Sequence, residues 1–326
     1  MVLATEPGVM RDTQRRLIEE IRRLREERNA VILAHNYQIG PIQDLADFVG
    51  DSLGLAQAAT RTDAPVIVMC GVYFMAETAK ILNPTRTVLI PDTRAGCSLA
   101  DSITADQLRA WKAEHPGAVV VSYVNTTADV KAETDICVTS GNAEAVIRSI
   151  PPDKEILFCP DMFLGSYLER VTGRKMHVWM GECHVHAGIR PEEIDAKRTQ
   201  FPGAELLVHP ECGCSSRYLW AQSACAMQST DVKVLSTEGM LRYARQSDKS
   251  TFLIATEVGL LHRLRKEMPG KRFEAADDGA VCRFMKMITL ENLRDCLRDV
   301  RPEVNVPPDI AERARLAVNR MLEIKP

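Results

Sequence analysis

Short apolar runs alternate with helical stretches along most of this chain. Residues 11–30 carry an apolar stripe of Leu17, Ile21 and Leu24 at helical spacing among charges, which predicts an amphipathic helix. Beyond it, four short apolar segments recur three times in one order. The first set is VILA (31–34), VVVS (119–122) and ELLV (205–208), each running into a polar residue: His35, Tyr123 and His209. The second set, GDSLGLAQ, CVTSGNAEAV and VLSTEGML, carries a hydroxyl at a predicted helix start: Ser52, Ser140 and Thr237. The third is VIVM (66–69), ILFC (156–159) and FLIA (252–255). The fourth is VLIP (88–91), MHVWMGE (176–182) and RFEAADDGAV (272–281), leading to Cys97, Cys183 and Cys282.

The spacing supports one unit written three times. His35–Ser52 and Tyr123–Ser140 are both 17 residues apart, and the steps from hydroxyl to cysteine are 45, 43 and 45. His209 to Thr237 is 28, which requires an insertion of about 11 residues, and CGCSSRYLWAQS (212–223) is the natural candidate. Strands alternating with helices predict βαβ units and parallel sheets, with right-handed crossovers placing helices on both faces. The expected fold class is α/β: three homologous three-layer αβα units with parallel sheets around a pseudo-threefold axis. The active site is expected at the centre, because ligands bind beyond the carboxyl ends of parallel strands. The expected division is an N-terminal helix (1–30), repeats at 31–117, 118–203 and 204–288, and C-terminal helices (289–326). Those last helices are TLENLRDCLRDV and PPDIAERARLAVNRML, the second opening on Pro-Pro-Asp.

Composition narrows the class. The 326 residues are 45% hydrophobic and 26% charged, ample for a core. A net charge of −3 argues against nucleic acid or an anionic membrane as partner and leaves room for a small anionic substrate. No apolar run reaches the ~18 residues a membrane span needs. Met1–Met10 has no basic start followed by an apolar core, so the expected compartment is the cytosol. Ten cysteines in a reducing compartment are not expected to form a disulfide framework.

The cysteines sort by context. No CxxC or finger spacing is present. Cys70, Cys137, Cys159, Cys225 and Cys296 sit in apolar or helical surroundings and read as core packing. Cys97, Cys183 and Cys282 occupy one place in each repeat, in the Gly-bearing loops AGCSLAD, GECHVH and DGAVCRF. Three soft ligands brought to one point suit a [4Fe–4S] cluster with one iron left open, or zinc with a water, and the spacing gives only a modest preference for iron.

The first strands all end in chemistry: His35-Asn36-Tyr37, Tyr123-Val124-Asn125-Thr126 and His209-Pro210-Glu211-Cys212. One strand-end histidine is ordinarily a satisfied structural group. Three equivalent polar ends point to a site, with Glu211 and His209 placed to move protons and Tyr37 to donate one. Ser52, Ser140 and Thr237 read ordinarily as N-caps, although helix N-termini also attract phosphate and carboxylate. In GECHVHAG, His186 is expected to reach the cavity and His184 to face solvent. Phe163 and Leu164 of DMFLGSYL (161–168) read as core, and HRLRKEMPGKR (262–272) as a solvated helix face.

At these residues the chain resembles the quinolinate synthase family, the A protein of NAD biosynthesis. The matching stretches are AHNYQ (34–38), ADFVGDSLGLAQ (46–57), GVYFMAETAKILNP (71–84), IPDTRAGCSLAD (90–101), SYVNTTADVKAETDICVTSGNA (122–143), WMGECHVH (179–186), VHPECGC (208–214), LSTEGM (235–240) and ATEVGLLHRLRKE (255–267). They run in one order from about residue 31 to 290. The resemblance implies a pseudo-threefold fold and an oxygen-sensitive [4Fe–4S] cluster, one per chain, held by Cys97, Cys183 and Cys282. It implies condensation of iminosuccinate (iminoaspartate) with dihydroxyacetone phosphate to quinolinate, phosphate and water, with functional coupling to an aspartate-oxidising enzyme. His35, Ser52, Tyr123, Asn125, Ser140, His209, Glu211 and Thr237 would line the substrate site, with Tyr37, Glu211 and His209 as acid–base residues. Some members carry CxxCxxC near the third ligand. Here Cys282 is followed by Arg283-Phe284-Met285-Lys286, as in a subgroup with a lone cysteine. Cys212 and Cys214 also look like a subgroup feature, and a strained disulfide between them is not expected. The rival readings are another [4Fe–4S] hydro-lyase acting on a hydroxy acid, a zinc protein and a cluster-based redox sensor.

Overall fold

A computed structural model of the protein describes residues 12–215 and 232–324. Its framework is three four-stranded parallel sheets with the same internal order. The first is built from β1 (Ala30–His35), β2 (Phe48–Gly50), β3 (Val66–Cys70) and β4 (Thr87–Leu89). The second has β5 (Val119–Tyr123), β6 (Ile136–Val138), β7 (Ile156–Cys159) and β8 (His177–Val178). The third has β9 (Glu205–Val208), β10 (Val232–Val234), β11 (Thr251–Ala255) and β12 (Arg272–Ala275). In each the order is second, first, third, fourth strand, and every pairing is parallel.

The inner strands are buried on both faces, which is why they read as unbroken apolar runs. Ile32, Leu33 and Ala34 of β1, Val120 and Val121 of β5, and Leu206, Leu207 and Val208 of β9 are all buried. Each large aliphatic side chain so placed contributes about 1.5–3 kcal/mol. Ser122 is the polar exception inside β5, and its hydroxyl is satisfied by Thr134 Oγ1 at 2.7 Å and Cys159 Sγ at 3.1 Å. The fourth strands are shorter than their apolar segments: of MHVWMGE only His177–Val178 pairs as strand. The rest is loop that delivers Cys183.

The helical flanks tie the sheets together. The helix Asp12–Glu27 packs against the helix Leu290–Asp299, where Arg28 donates to the carbonyls of Leu297 and Arg298. The last helix, Pro308–Glu323, crosses to the second sheet, and Asn142 Nδ2 donates to its Met321 carbonyl at 2.9 Å. The expected insertion at 212–223 falls mostly outside the described residues, as does Cys225. Two expectations are corrected. Cys212, the residue after Glu211, and Cys214 are joined by a disulfide, and both are buried. Arg263 is no part of a solvated face: it bonds Asn36 Oδ1 at 2.8 Å, Glu267 at 2.7 Å and Glu238, locking the third unit to the first.

Candidate active site

The carboxyl ends of the three sheets open onto one cavity. Every site residue expected from sequence lines it, four from each repeat: His35, Tyr37, Ser52 and Cys97; Tyr123, Asn125, Ser140 and Cys183; His209, Glu211, Thr237 and Cys282. Contacts between the sheets knit this wall. Tyr37 Oη lies 2.6 Å from Thr256 Oγ1 and 3.4 Å from His186 Nε2, Ser140 Oγ lies 3.3 Å from His209 Nε2, and Tyr123 donates to Glu211.

The three hydroxyls are not helix caps, contrary to the ordinary reading. The helix Ser52–Arg61 is capped by Asp51, which accepts from Gly54 N at 2.8 Å, and the helix Thr237–Gln246 by Ser236, which accepts from Gly239 N at 3.2 Å. Such a cap contributes about 1 kcal/mol. Asn142 occupies the cap position before the helix Ala143–Ser149, two residues past Ser140. Ser52 and Thr237 stand at the first helical position behind capping neighbours, and Ser140 lies in the loop before Asn142, whose side chain makes no cap hydrogen bond. Thr237 Oγ1 accepts from Asn36 Nδ2 at 3.0 Å.

Burial and charge set the protonation of the polar wall. Burial alone would raise the Glu211 carboxyl, but the His186 charge and the hydrogen bond from Tyr123 outweigh it and hold it down at about 2, so it is a carboxylate. Burial lowers His35 and His209 to about 3, leaving both neutral. His186 is the opposite case. Burial disfavours its charge, but Cys183 and Glu211 raise it to about 10. Its Nδ1 lies 3.1 Å from Glu211 Oε2. Burial and the Glu211 charge push Tyr37 and Tyr123 well above the usual phenol range, so both keep their protons. Asn125 Oδ1 is buried with no hydrogen-bond partner among the described residues, a polar atom left for a ligand.

The three thiols fit a metal group. Burial raises all of them, Cys97 to about 12, so none ionises unaided. Backbone N–H groups of Ala100 and Leu99 reach Cys97, and those of Met285 and Phe284 reach Cys282. All three cysteines line the same cavity. Half-buried thiols on one cavity wall, two of them with N–H donors aimed at the sulfur, need a cation nearby to become thiolates. Cys183, His186 and Glu211 also offer ligand atoms within 4.8 Å of one another.

Two supporting residues were not singled out by sequence reasoning. Glu257, within the matching ATEVG stretch, accepts from Cys282 N at 3.0 Å and Gly259 N at 2.7 Å and pairs with Lys286 at 2.9 Å. Lys286 also donates to the Tyr37 carbonyl, so this pair ties the third cysteine loop to the Tyr37 loop. A side chain at 259 has no room: its β-carbon would sit 2.8 Å from the Tyr37 backbone. Lys131, fully buried, donates to the carbonyls of Val124 and Thr126 and braces the turn that presents Asn125. His184 faces solvent at the rim, with Nδ1 2.7 Å from Ser98 Oγ. Leu164 is core, whereas Phe163 is only half-buried.

Comparison with known proteins gives one consistent result. The family model described as "Quinolinate synthetase A protein" matches residues 19–323. The chain is 60% identical over 306 residues to a protein named quinolinate synthase from Mycobacterium sp. (strain KMS), covering 94% of this chain and 91% of that one. It is 58% identical over 314 residues to the protein of that name from Mycobacterium tuberculosis (strain H37Rv), covering 96% and 90%. For the protein of that name from Thermus thermophilus the figure is 56% over 308 residues, covering 94% and 97%.

Proposed function

The chain belongs to the quinolinate synthetase A protein family, and on that premise we propose that it condenses iminosuccinate (iminoaspartate) with dihydroxyacetone phosphate. The products are quinolinate, phosphate and water, which makes it a transferase with dehydration steps in NAD biosynthesis. Its cofactor is one [4Fe–4S] cluster held by Cys97, Cys183 and Cys282. The observation that carries this reading is that four residues from each repeat line one cavity. That arrangement favours a pseudo-threefold packing of units at 31–117, 118–203 and 204–288.

When bound, the cluster supplies a Lewis-acidic iron that polarises a substrate oxygen or nitrogen. The chain's own groups do the rest. Glu211, ionised and fixed by Tyr123 and His186, accepts a proton from substrate carbon or nitrogen. Tyr37, protonated, donates a hydrogen bond to developing negative charge, while the single Tyr123 proton is held by Glu211. His209 is neutral and serves as an acceptor or proton relay beside Glu211, whose Oε1 lies 3.7 Å from its Nδ1. The helix starts at Ser52 and Thr237, with their hydroxyls, suit the phosphate and carboxylates of the two substrates. Asn125 Oδ1 accepts from a substrate donor, the imine N–H being the fitting one. His35 lies against Tyr37, ring centroids 4.5 Å apart, and holds that ring in place.

The deciding experiment is an anaerobic assay with iminosuccinate and dihydroxyacetone phosphate, with iron and sulfide counted on the same sample. Quinolinate formation that requires the phosphorylated ketone is expected. Cluster-replete protein that makes no quinolinate, or that dehydrates a simple hydroxy acid instead, overturns the reading.

A further inference from the structure

We propose that His115, Glu155 and His177 form a second metal site, on the surface, for one divalent ion of the zinc class. The three residues come from separate elements at the amino-terminal edge of the second sheet, the end opposite the cavity. His115 is the C-cap of the helix Ala105–Glu114, its N–H bonded to the Lys112 carbonyl. Glu155 directly precedes β7, and its carbonyl accepts from Val119 N at 2.8 Å as β5 begins. His177 opens β8, in register with Leu157 of β7. His177 is thus held in the sheet, and His115 and Glu155 sit directly beside a helix end and a strand start, each tied by a backbone hydrogen bond.

The ligand geometry is close to what a metal needs. His115 Nδ1 lies 3.5 Å and His177 Nε2 3.7 Å from the same oxygen, Glu155 Oε2. One ligand atom from each residue falls within 4.8 Å of the others. A tetrahedral zinc with bonds near 2.0–2.2 Å holds its ligand atoms roughly 3.4 Å apart, so small side-chain rotations close the site. The imidazoles already face each other, centroids 4.0 Å apart and 42° between planes. Two imidazoles and one carboxylate suit zinc, nickel or copper, and suit magnesium and calcium poorly, since those ions prefer oxygen ligands throughout. The side chains of Glu155 and His177 are 62% and 44% exposed, so an ion can enter and a water can fill a fourth position.

The site would act as a clamp. β8 has two residues and pairs with β7, and Cys183 follows its first residue by six positions. An ion bridging His177 to Glu155 and His115 fastens this short strand to the sheet, and with it the approach to the second cysteine. It takes no part in turnover.

The test uses the cluster-replete protein under anaerobic conditions, titrated with zinc ion and dialysed, with zinc, iron and sulfide counted per chain. The expected result is one bound zinc with iron and sulfide unchanged. In His115→Ala and His177→Ala that zinc binds about tenfold more weakly or worse, because one of three protein ligands is gone. Glu155→Gln, which keeps the side chain's shape, weakens it as well. Quinolinate production is unchanged in all three variants. Zinc raises the thermal midpoint of the parent and leaves that of His177→Ala where it was. Parent protein that retains no zinc, or variants that bind as tightly as the parent, overturns the proposal and leaves the cluster a histidine–carboxylate contact only. Because the zinc count is independent of turnover, failure here is distinguishable from failure of the proposed synthase activity.

Discussion

The molecule holds two clusters of the same composition, two histidines and a glutamate, in opposite surroundings. His186, His209 and Glu211 lie buried at the carboxyl ends of the sheets, with the two rings stacked 4.8 Å apart. His115, Glu155 and His177 lie at the amino edge of the second sheet, half open to water. In the buried cluster each group is held by several partners, and the low dielectric makes every neighbour's charge count. The outcome is a fixed pattern: Glu211 ionised, His209 neutral, His186 charged. The exposed cluster is joined by two contacts of 3.5 and 3.7 Å and one ring contact, which water or a metal can replace. The comparison teaches that residue type alone does not make an acid–base site. Burial with unequal partners does.

Perturbing the buried region should therefore cost far more than perturbing the exposed one. The largest effect is expected at the thiols. Cys97→Ala, Cys183→Ala and Cys282→Ala should each lose activity together with the brown absorbance of the cluster, and full turnover in any one of them would remove that residue from the ligand set. Next comes Glu211→Gln, which should retain iron and sulfide but lower turnover by about 10²–10⁴-fold. Cluster-replete Glu211→Gln with near-normal rates would exclude the proton-transfer role. Third is Lys286→Met, which strands the buried Glu257 carboxylate without its ion-pair partner. A loss of about 2–3 kcal/mol in urea unfolding is expected, because an uncompensated buried charge is costly even when its partner was partly exposed.

The smallest effect tests the gradient between the two extremes. Glu133 sits near the surface among Arg109 at 2.9 Å, Arg313 at 3.0 Å and Lys112 at 3.5 Å. Burial is the largest single influence and would raise its carboxyl, but the two arginines and the lysine together hold it below the usual range. A carboxyl depressed in the folded state stabilises above its ordinary value of 4.5 and loses that contribution as the pH falls below it. Glu133→Gln should cost about 1 kcal/mol at neutral pH, the scale of a partly exposed network. The gap from the parent should close in acid. A gap that widens in acid would show that the side chain stabilises by something other than its charge.

Much of this was readable along the chain, for local reasons. Parallel strands buried on both faces must be short apolar runs, so all three sheets left their mark, and residues at strand ends must face the mouth. Hence His35, Tyr123 and His209, and the cysteine after each fourth strand, could be picked out by position alone. Other features depend on backbone and side-chain geometry that periodicity does not encode. The caps turned on a shift of one position, Asp51 and not Ser52, Ser236 and not Thr237, and in the second unit Asn142 and not Ser140 stands at the cap position without a side-chain cap bond. Glu257 and Lys131 work by gripping backbone of other segments, and no local pattern marks them. The Cys212–Cys214 bond was not expected from so short a spacing.

By itself the sequence determined the repeat, the strand ends and the side chains that populate them, because each follows from periodicity within a few residues. The tertiary structure alone decided the strand order, the meeting of three sheets at one cavity and the charge carried by each buried group. Those depend on distances between residues in different elements, from His186 with Glu211 to Asn36 with Thr237. A proton's affinity for a side chain is set by the dielectric and the charges around it, and only the folded chain supplies both.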